Sequence, residues 1–101
     1  MSKHKVAVLD QLPDGLTFPV TVDDEEIVLI RQGDEVFALE DYCSHADIPL
    51  AQGKVLPGRI KCRAHGAEFC LRTGKALVAP AFAPVKTYGV TVENGDVYLE
   101  C

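Results

Sequence analysis

The amino-acid sequence predicts an all-β protein, and three features of the chain support this class. Apolar residues do not recur at the three- and four-residue spacing of an amphipathic helix. Short runs rich in β-branched residues alternate instead with turn-forming residues along most of the sequence. Near the carboxyl end, Asn94-Gly95 is the residue pair preferred in a type I′ two-residue hairpin. We therefore expect antiparallel β-sheets or a sandwich.

The first predicted elements are three strands in the amino-terminal half of the chain. They span Thr17 to Val22, Ile27 to Arg31 and Glu35 to Glu40. Asp23-Asp24 and Gln32-Gly33-Asp34 lie between them, and both segments have the composition of tight turns. Strands joined by such short turns are antiparallel neighbours, so the pattern predicts a meander.

The clearest predicted element is the carboxyl-terminal hairpin centred on Asn94-Gly95. When the residues that flank this turn are paired, the register of the two strands follows. Four apolar residues then share one face: Val90, Val92, Val97 and Leu99. Thr91 and Tyr98 share the opposite face. We expect the apolar face to cover the core.

The chain changes character between Tyr42 and Pro84, where glycine and proline recur. This stretch leaves room only for short strands, such as RIKC at 59–62 and AEFCL at 67–71. A long irregular region inside a compact domain is unusual unless it is functional or held by a cofactor.

Length and charge restrict the class of function. The 101 residues suffice for a single domain, 1–101. A formal net charge of −5 disfavours nucleic acid and anionic lipid as partners and is more compatible with a basic protein surface. No signal peptide or membrane-spanning segment is predicted, so we expect a cytoplasmic protein. Four cysteines in a reducing compartment point to metal or redox chemistry.

Two cysteine and histidine pairs lie in the irregular region. Cys43 and His45 are separated by one residue, Cys62 and His65 by two, and sixteen residues separate the pairs. Two cysteines and two histidines could hold a tetrahedral zinc ion. They could equally hold two irons bridged by two sulfides, with the cysteines on one iron and the histidines on the other. Ligand identity alone does not choose between these metals.

The surroundings of the two pairs resemble those of a Rieske ferredoxin. The resemblance is carried by the four residues and their spacing, and by Gly66, Ala67, Phe69, Thr73 and Gly74 after the second pair. It covers nearly the whole chain. It implies a Rieske fold, in which a loop-rich cluster-binding subdomain, about 42–84, is inserted in a basal β domain.

The resemblance also implies one [2Fe-2S] cluster per chain. Cys43 and Cys62 would bind the buried iron, and His45 and His65 would bind the outer iron. High-potential relatives have a serine and a tyrosine where this chain has Ala67 and Phe69. They also have a disulfide, whose two positions correspond here to Ile48 and Ala64. The resemblance therefore implies a low-potential cluster.

Two residues depart from the family pattern. Arg63 stands where relatives commonly have proline, and Cys70 stands where they commonly have aspartate. Cys70 lies in a strand-like apolar segment, and cysteine is often buried, so we expect it to pack in the core. Arg63 is expected either to loosen the loop that holds the second pair or to add a positive charge near the cluster.

A chain of this kind is expected to carry electrons and not to be an enzyme, because a single cluster offers no small-molecule substrate site. By resemblance, it would pass electrons from a flavin-containing, NADH-dependent ferredoxin reductase to a terminal Rieske oxygenase that hydroxylates aromatic rings. One alternative is the small Rieske-like subunit of a nitrite reductase or another larger oxidoreductase. Another is a zinc-stabilised interaction module.

Overall fold

Ten β-strands in two antiparallel sheets make up most of residues 3–42, 48–63, 66–78 and 84–100, which the computed structural model describes. The strands are β1 (Lys3–Val8), β2 (Thr17–Val22), β3 (Glu25–Gln32), β4 (Glu35–Glu40), β5 (Lys54–Leu56), β6 (Arg59–Lys61), β7 (Glu68–Cys70), β8 (Ala76–Val78), β9 (Thr87–Glu93) and β10 (Asp96–Glu100). Two short 3₁₀ turns span Leu9–Gln11 and Leu50–Gln52. The predicted all-β class is confirmed. Among these residues, no helix is long and apolar enough to cross a membrane.

The larger sheet has six strands in the order β1-β10-β9-β4-β3-β2. The predicted meander forms its β2-β3-β4 half, with Val22 paired to Glu25 and Gln32 paired to Glu35. Asp23 and Asp24 both have positive φ, as the two central residues of a type I′ turn require. Aspartate tolerates this conformation better than most residues, so the turn chemistry agrees with the register.

The carboxyl-terminal hairpin has the predicted register, with Val97 opposite Val92 and Leu99 opposite Val90. Val97 and Leu99 are fully buried, and Val90 packs against the same core. Val92 is 37% exposed, because it lies close to the turn and beyond the edge of the core. The apolar face therefore covers the core along most, but not all, of its length.

The smaller sheet has four strands in the order β5-β6-β7-β8 and lies between β4 and β9 in the sequence. The predicted segments RIKC and AEFCL contain β6 and β7. The outer strands β5 and β8 were not predicted, because a three-residue strand is too short to show periodicity. Whether this part of the chain is a separate subdomain with bounds near 42 and 84 stays a prediction.

Two hydrophobic cores lie on opposite sides of the larger sheet. Ile27 and Leu29 on β3 belong to one core, and Val28 and Ile30 belong to the other. All four side chains are fully buried, so β3 is covered on both faces. The second core also contains fully or almost fully buried residues of the smaller sheet and its connections: Leu50, Ile60, Cys62, Ala67, Phe69 and Leu71. The smaller sheet is thus supported directly by the larger one.

Candidate metal centre

The second cysteine and histidine pair lies in the turn of a short hairpin. Strands β6 and β7 pair from Arg59 opposite Cys70 to Lys61 opposite Glu68. They are connected by residues 62–67, which we call the second motif loop. Its ends are joined by a hydrogen bond of 2.6 Å, in which the Cys62 amide donates to the Ala67 carbonyl. The hairpin therefore fixes the backbone on both sides of the loop.

Cys62 is 1% exposed and packs in the core beneath the smaller sheet. Ala67 and Phe69, which belong to the same core, are fully buried. A thiolate in such apolar surroundings is costly unless it binds a cation. The position of Cys62 therefore suits a thiolate ligand of an inner, water-excluded metal. Neither Ala67 nor Phe69 carries a hydroxyl that could donate a hydrogen bond to the Cys62 sulfur.

The first pair lies between Asp41 and the second 3₁₀ turn, in residues 42–49, which we call the first motif loop. Asp41 precedes this loop, and its amide donates to the Glu26 carbonyl at 2.9 Å. Its carboxylate accepts a hydrogen bond of 2.8 Å from the Ala51 amide, on the far side of the loop. The Ala51 carbonyl in turn accepts a hydrogen bond of 2.8 Å from the Thr17 hydroxyl. Both ends of the loop are thus attached to the larger sheet.

Asp41→Ala should loosen the first motif loop, because the Ala51 amide loses its acceptor. A hydrogen bond to a charged group contributes about 1.5–3 kcal/mol, so we expect a loss of that order in the free energy of unfolding and faster loss of bound iron to a chelator. Asp41→Asn retains an acceptor oxygen and should recover part of the stability. Asp34→Ala, in an exposed turn, is the matched control. Equal iron loss from the Asp34 and Asp41 alanine variants would contradict this role for Asp41.

Of the four predicted ligands, the structure describes Cys62. Cys43, His45 and His65 lie outside the described residues, so the full ligand set stays a prediction. Among the residues that are described, no group of three or more His, Cys, Asp or Glu side chains could hold a metal ion.

Arg63 links the second motif loop to the 3₁₀ turn that follows the first motif loop. Its Nη1 donates a hydrogen bond of 3.1 Å to Oε1 of Gln52, in the 3₁₀ turn that follows the first loop. The rest of the Arg63 side chain is exposed. Sequence reasoning did not find this contact or the one between Asp41 and Ala51, because neither belongs to a local pattern of residues.

The prediction that Cys70 packs in the core is wrong. Side chains alternate across a strand, and in β7 the Phe69 side chain takes the core-facing position. Cys70 is half-buried on the other face, where a hydrogen bond with the Thr73 side chain lowers the pKa of its thiol.

Comparisons with known proteins identify a family and relatives of this chain. The model of the family described as the Rieske [2Fe-2S] domain matches residues 2–89. The chain is 40% identical over 100 residues to the 3-phenylpropionate/cinnamic acid dioxygenase ferredoxin subunit of Photorhabdus laumondii, and the match covers 98% of this chain and 94% of that one.

Solved structures show the same similarity. The ferredoxin of carbazole 1,9a-dioxygenase from Nocardioides aromaticivorans IC177 superposes with a TM-score of 0.94 at 33% identity, over 99% of this chain and 98% of that one. A second match, with a TM-score of 0.90 at 29% identity, is described as a complex of reduced oxygenase and oxidised ferredoxin in carbazole 1,9a-dioxygenase. It covers 97% of this chain and 92% of that one.

Proposed function

Because the chain belongs to the Rieske [2Fe-2S] domain family, we propose that it is the ferredoxin of an aromatic-ring-hydroxylating dioxygenase system. In this role it carries single electrons to a terminal oxygenase and performs no substrate chemistry itself. The observation that carries the proposal is the 40% identity to a dioxygenase ferredoxin subunit along 98% of this chain. One of the similar solved structures is a complex of an oxygenase with a ferredoxin, and this supports a terminal oxygenase as the electron acceptor.

The residues proposed to hold the cluster are Cys43 and Cys62 on the inner iron and His45 and His65 on the outer iron. When bound, the cluster supplies a one-electron redox couple. The buried position of Cys62 keeps water from the inner side of the site, and Leu50 and Phe69, both fully buried, close the core behind it. Histidine ligands on the outer side leave a ring nitrogen available toward a partner.

The proposed electron donor is a flavin-containing, NADH-dependent ferredoxin reductase. NADH gives up two electrons at once, whereas the cluster accepts one. The flavin of the reductase would take up both electrons and pass them to the carrier one at a time. We place the protein in the cytoplasm, where cysteine thiols stay reduced and available as ligands.

The first test is an electron paramagnetic resonance spectrum of the dithionite-reduced protein, with iron and acid-labile sulfide measured on the same sample. We expect about two irons and two sulfides per chain and a rhombic signal of mixed histidine and cysteine ligation. A zinc-containing protein without sulfide, even after reconstitution with iron and sulfide, would contradict the cluster and support the interaction module.

The second test follows NADH-dependent oxygenation of 3-phenylpropionate or biphenyl. The chain replaces the native ferredoxin in the purified dioxygenase systems of Photorhabdus laumondii and Rhodococcus jostii, whose ferredoxin components are 40% and 36% identical to it. Product formation that depends on this chain is the expected result. A reduced cluster that neither oxygenase reoxidises would contradict the proposal, and stable copurification with a nitrite reductase would favour the subunit alternative.

The cluster potential is proposed to lie near the bottom of the span of roughly −150 to +300 mV known for Rieske centres. Ala67→Ser combined with Phe69→Tyr should raise it, because new hydroxyl donors stabilise the more negative reduced state. If each bond is about 1.4 kcal/mol stronger in that state, the potential rises by about 60 mV per hydroxyl.

Protein-film voltammetry measures this shift. The matched control, Ala76→Ser with Phe37→Tyr, adds the same two hydroxyls to half-buried positions that pack against the same core. An unchanged potential in the Ala67 and Phe69 variant, or an equal shift in the control, would count against the hydroxyl explanation.

A further inference from the structure

Charge is divided unevenly along the chain. Residues 48–78, which include the smaller sheet, carry six of the ten basic residues and one of the fifteen acidic ones. The basic residues are Lys54, Arg59, Lys61, Arg63, Arg72 and Lys75, and the acidic one is Glu68. The remainder of the chain carries four basic and fourteen acidic residues. The net charge of −5 is therefore the sum of a positive segment, residues 48–78, and a strongly negative remainder of the chain.

Three of these basic residues lie together beside the second motif loop. Lys54 and Lys61 are direct cross-strand partners in β5 and β6, and Arg63 follows two residues later. The Lys61 side chain lies over the loop, because its Cε would be 3.4 Å from a Cβ placed on Gly66. All three residues are exposed. We call Lys54, Lys61 and Arg63 the cationic patch, and Cys62 lies within it in the sequence.

Within the described part of the chain, no member of the cationic patch forms an ion pair, although Glu68 lies opposite Lys61 on β7. Arg59 pairs with Glu68 at 3.0 Å and Arg72 pairs with Glu35 at 2.9 Å. No acidic side chain of the described residues forms an ion pair with any member of the patch. Arg63 donates to the neutral side chain of Gln52, which orients its guanidinium without neutralising it.

The acidic residues near the first motif loop are engaged differently. Glu25 accepts from the Tyr88 hydroxyl at 3.0 Å and lies 3.8 Å from the Lys86 ammonium. Glu40 accepts from the Lys86 amide, and Asp41 accepts from the Ala51 amide. These carboxylates have intramolecular partners, whereas the cationic patch forms no ion pair with an acidic side chain of the described residues.

We infer that the cationic patch is the surface on which the terminal oxygenase docks, and that the oxygenase presents acidic side chains around its electron entry point. The inference rests on the proposed function, which supplies the acceptor. Complementary charges around a redox site accelerate association and orient the partners, and the effect weakens as salt screens it. The net charge alone predicts the opposite, a basic partner.

The test uses two small electron acceptors of equal and opposite charge, hexacyanoferrate(III) and hexaammineruthenium(III). Each takes one electron from the reduced cluster, and no bond forms or breaks. Their oxidation rates are measured by stopped flow while ionic strength rises from about 0.01 M to about 1 M, which shortens the Debye length from about 30 Å to about 3 Å. The sign of the salt effect reports the charge at the electron exit.

For the wild-type protein, we expect the rate with hexacyanoferrate(III) to fall about tenfold as salt rises, and the rate with hexaammineruthenium(III) to increase. Lys54→Gln with Lys61→Gln should remove most of this dependence. Lys3→Gln with Lys5→Gln is the matched control, because it changes net charge equally on the edge strand of the other sheet. The control should behave as wild type. A hexacyanoferrate(III) rate that rises with salt in the wild-type protein would overturn the inference.

Calorimetry with the oxygenase that supports turnover gives a second readout that does not depend on activity. We expect the Lys54 and Lys61 double variant to bind about tenfold more weakly at low salt than the control variant. Equal affinities, or tighter binding by the patch variant, would overturn the inference and leave the proposed function intact. Failure of the wild-type protein to bind or reduce any oxygenase would overturn both.

Discussion

Cys62→Ala should yield a folded but colourless protein, with iron and acid-labile sulfide falling from about two of each per chain to near zero. The alanine removes the buried Cys62 side chain, which we propose as a thiolate ligand, from the end of a closed hairpin loop. No water can replace it from the core side, since Cys62 is 1% exposed. On the proposed assignment, the inner iron would keep one of its two cysteine ligands, and the apolar surroundings offer no substitute for the other.

Cys70→Ala provides the matched control. It removes a thiol from the same hairpin, but on the face of β7 that points away from the core. We expect this variant to keep the full iron and sulfide content and the visible spectrum of the wild-type protein. An intact cluster in Cys62→Ala, or loss of the cluster in both variants, would contradict the assignment of Cys62 as a ligand.

Gly74→Ala should destabilise the holoprotein far more than an alanine introduced at a glycine in an open turn. Gly74 has a φ of +75°, and a Cβ at this position would collide with the backbone carbonyl oxygen of Val85. The same residue donates from its amide to the Cys70 carbonyl and accepts from the Val85 amide, so neither backbone can move away without losing hydrogen bonds. Gly74 thus holds the end of the smaller sheet against the return of the chain to β9.

Gly58→Ala separates this close approach from simple backbone strain. Gly58 has a φ of +73°, but a Cβ there would meet nothing within 4 Å. The strain alone costs about 1–2 kcal/mol, whereas Gly74→Ala should cost about 3 kcal/mol or more, because it combines strain with displacement of packed backbone.

Thermal loss of the cluster absorption measures both glycine variants. Each kcal/mol corresponds to about 4–8 °C in a domain of this size. Similar midpoints for the two variants would show that the contact with Val85 is not what requires glycine at position 74.

The parts of the fold that could be predicted are those encoded by local patterns. The meander and the final hairpin combine two-residue periodicity with turn residues, so the strands of both, and the register of the hairpin, followed from the sequence. Strand β1 was missed because lysine and histidine fill the first half of its sequence, KHKVAV, and the segment forms a strand by pairing with β10. The short strands β5 and β8 are likewise defined by their neighbours.

The candidate site shows the same division. The four expected ligands came from motif spacing and from resemblance to a family, which place residues in sequence but do not describe what supports them. The hydrogen bonds from Ala51 to Asp41 and from Arg63 to Gln52 join residues ten and eleven positions apart. Such contacts depend on how the motif loops fold back, and no periodicity or turn signal encodes them. The orientation of Cys70 depended on the register of β7, a strand too short to reveal it.

The burial of β3 on both faces has a consequence for redesign of this protein. The core that supports the smaller sheet is completed by Val28 and Ile30 of β3, and the opposite core by Ile27 and Leu29. A fragment of residues 54–78 alone would lack Val28 and Ile30 of β3. Its own apolar side chains would then face water instead of packing in a core. A minimal synthetic electron carrier built from this chain must therefore retain β3. Because β3 also contributes Ile27 and Leu29 to the opposite core, the residues that cover that side of β3 must be retained as well.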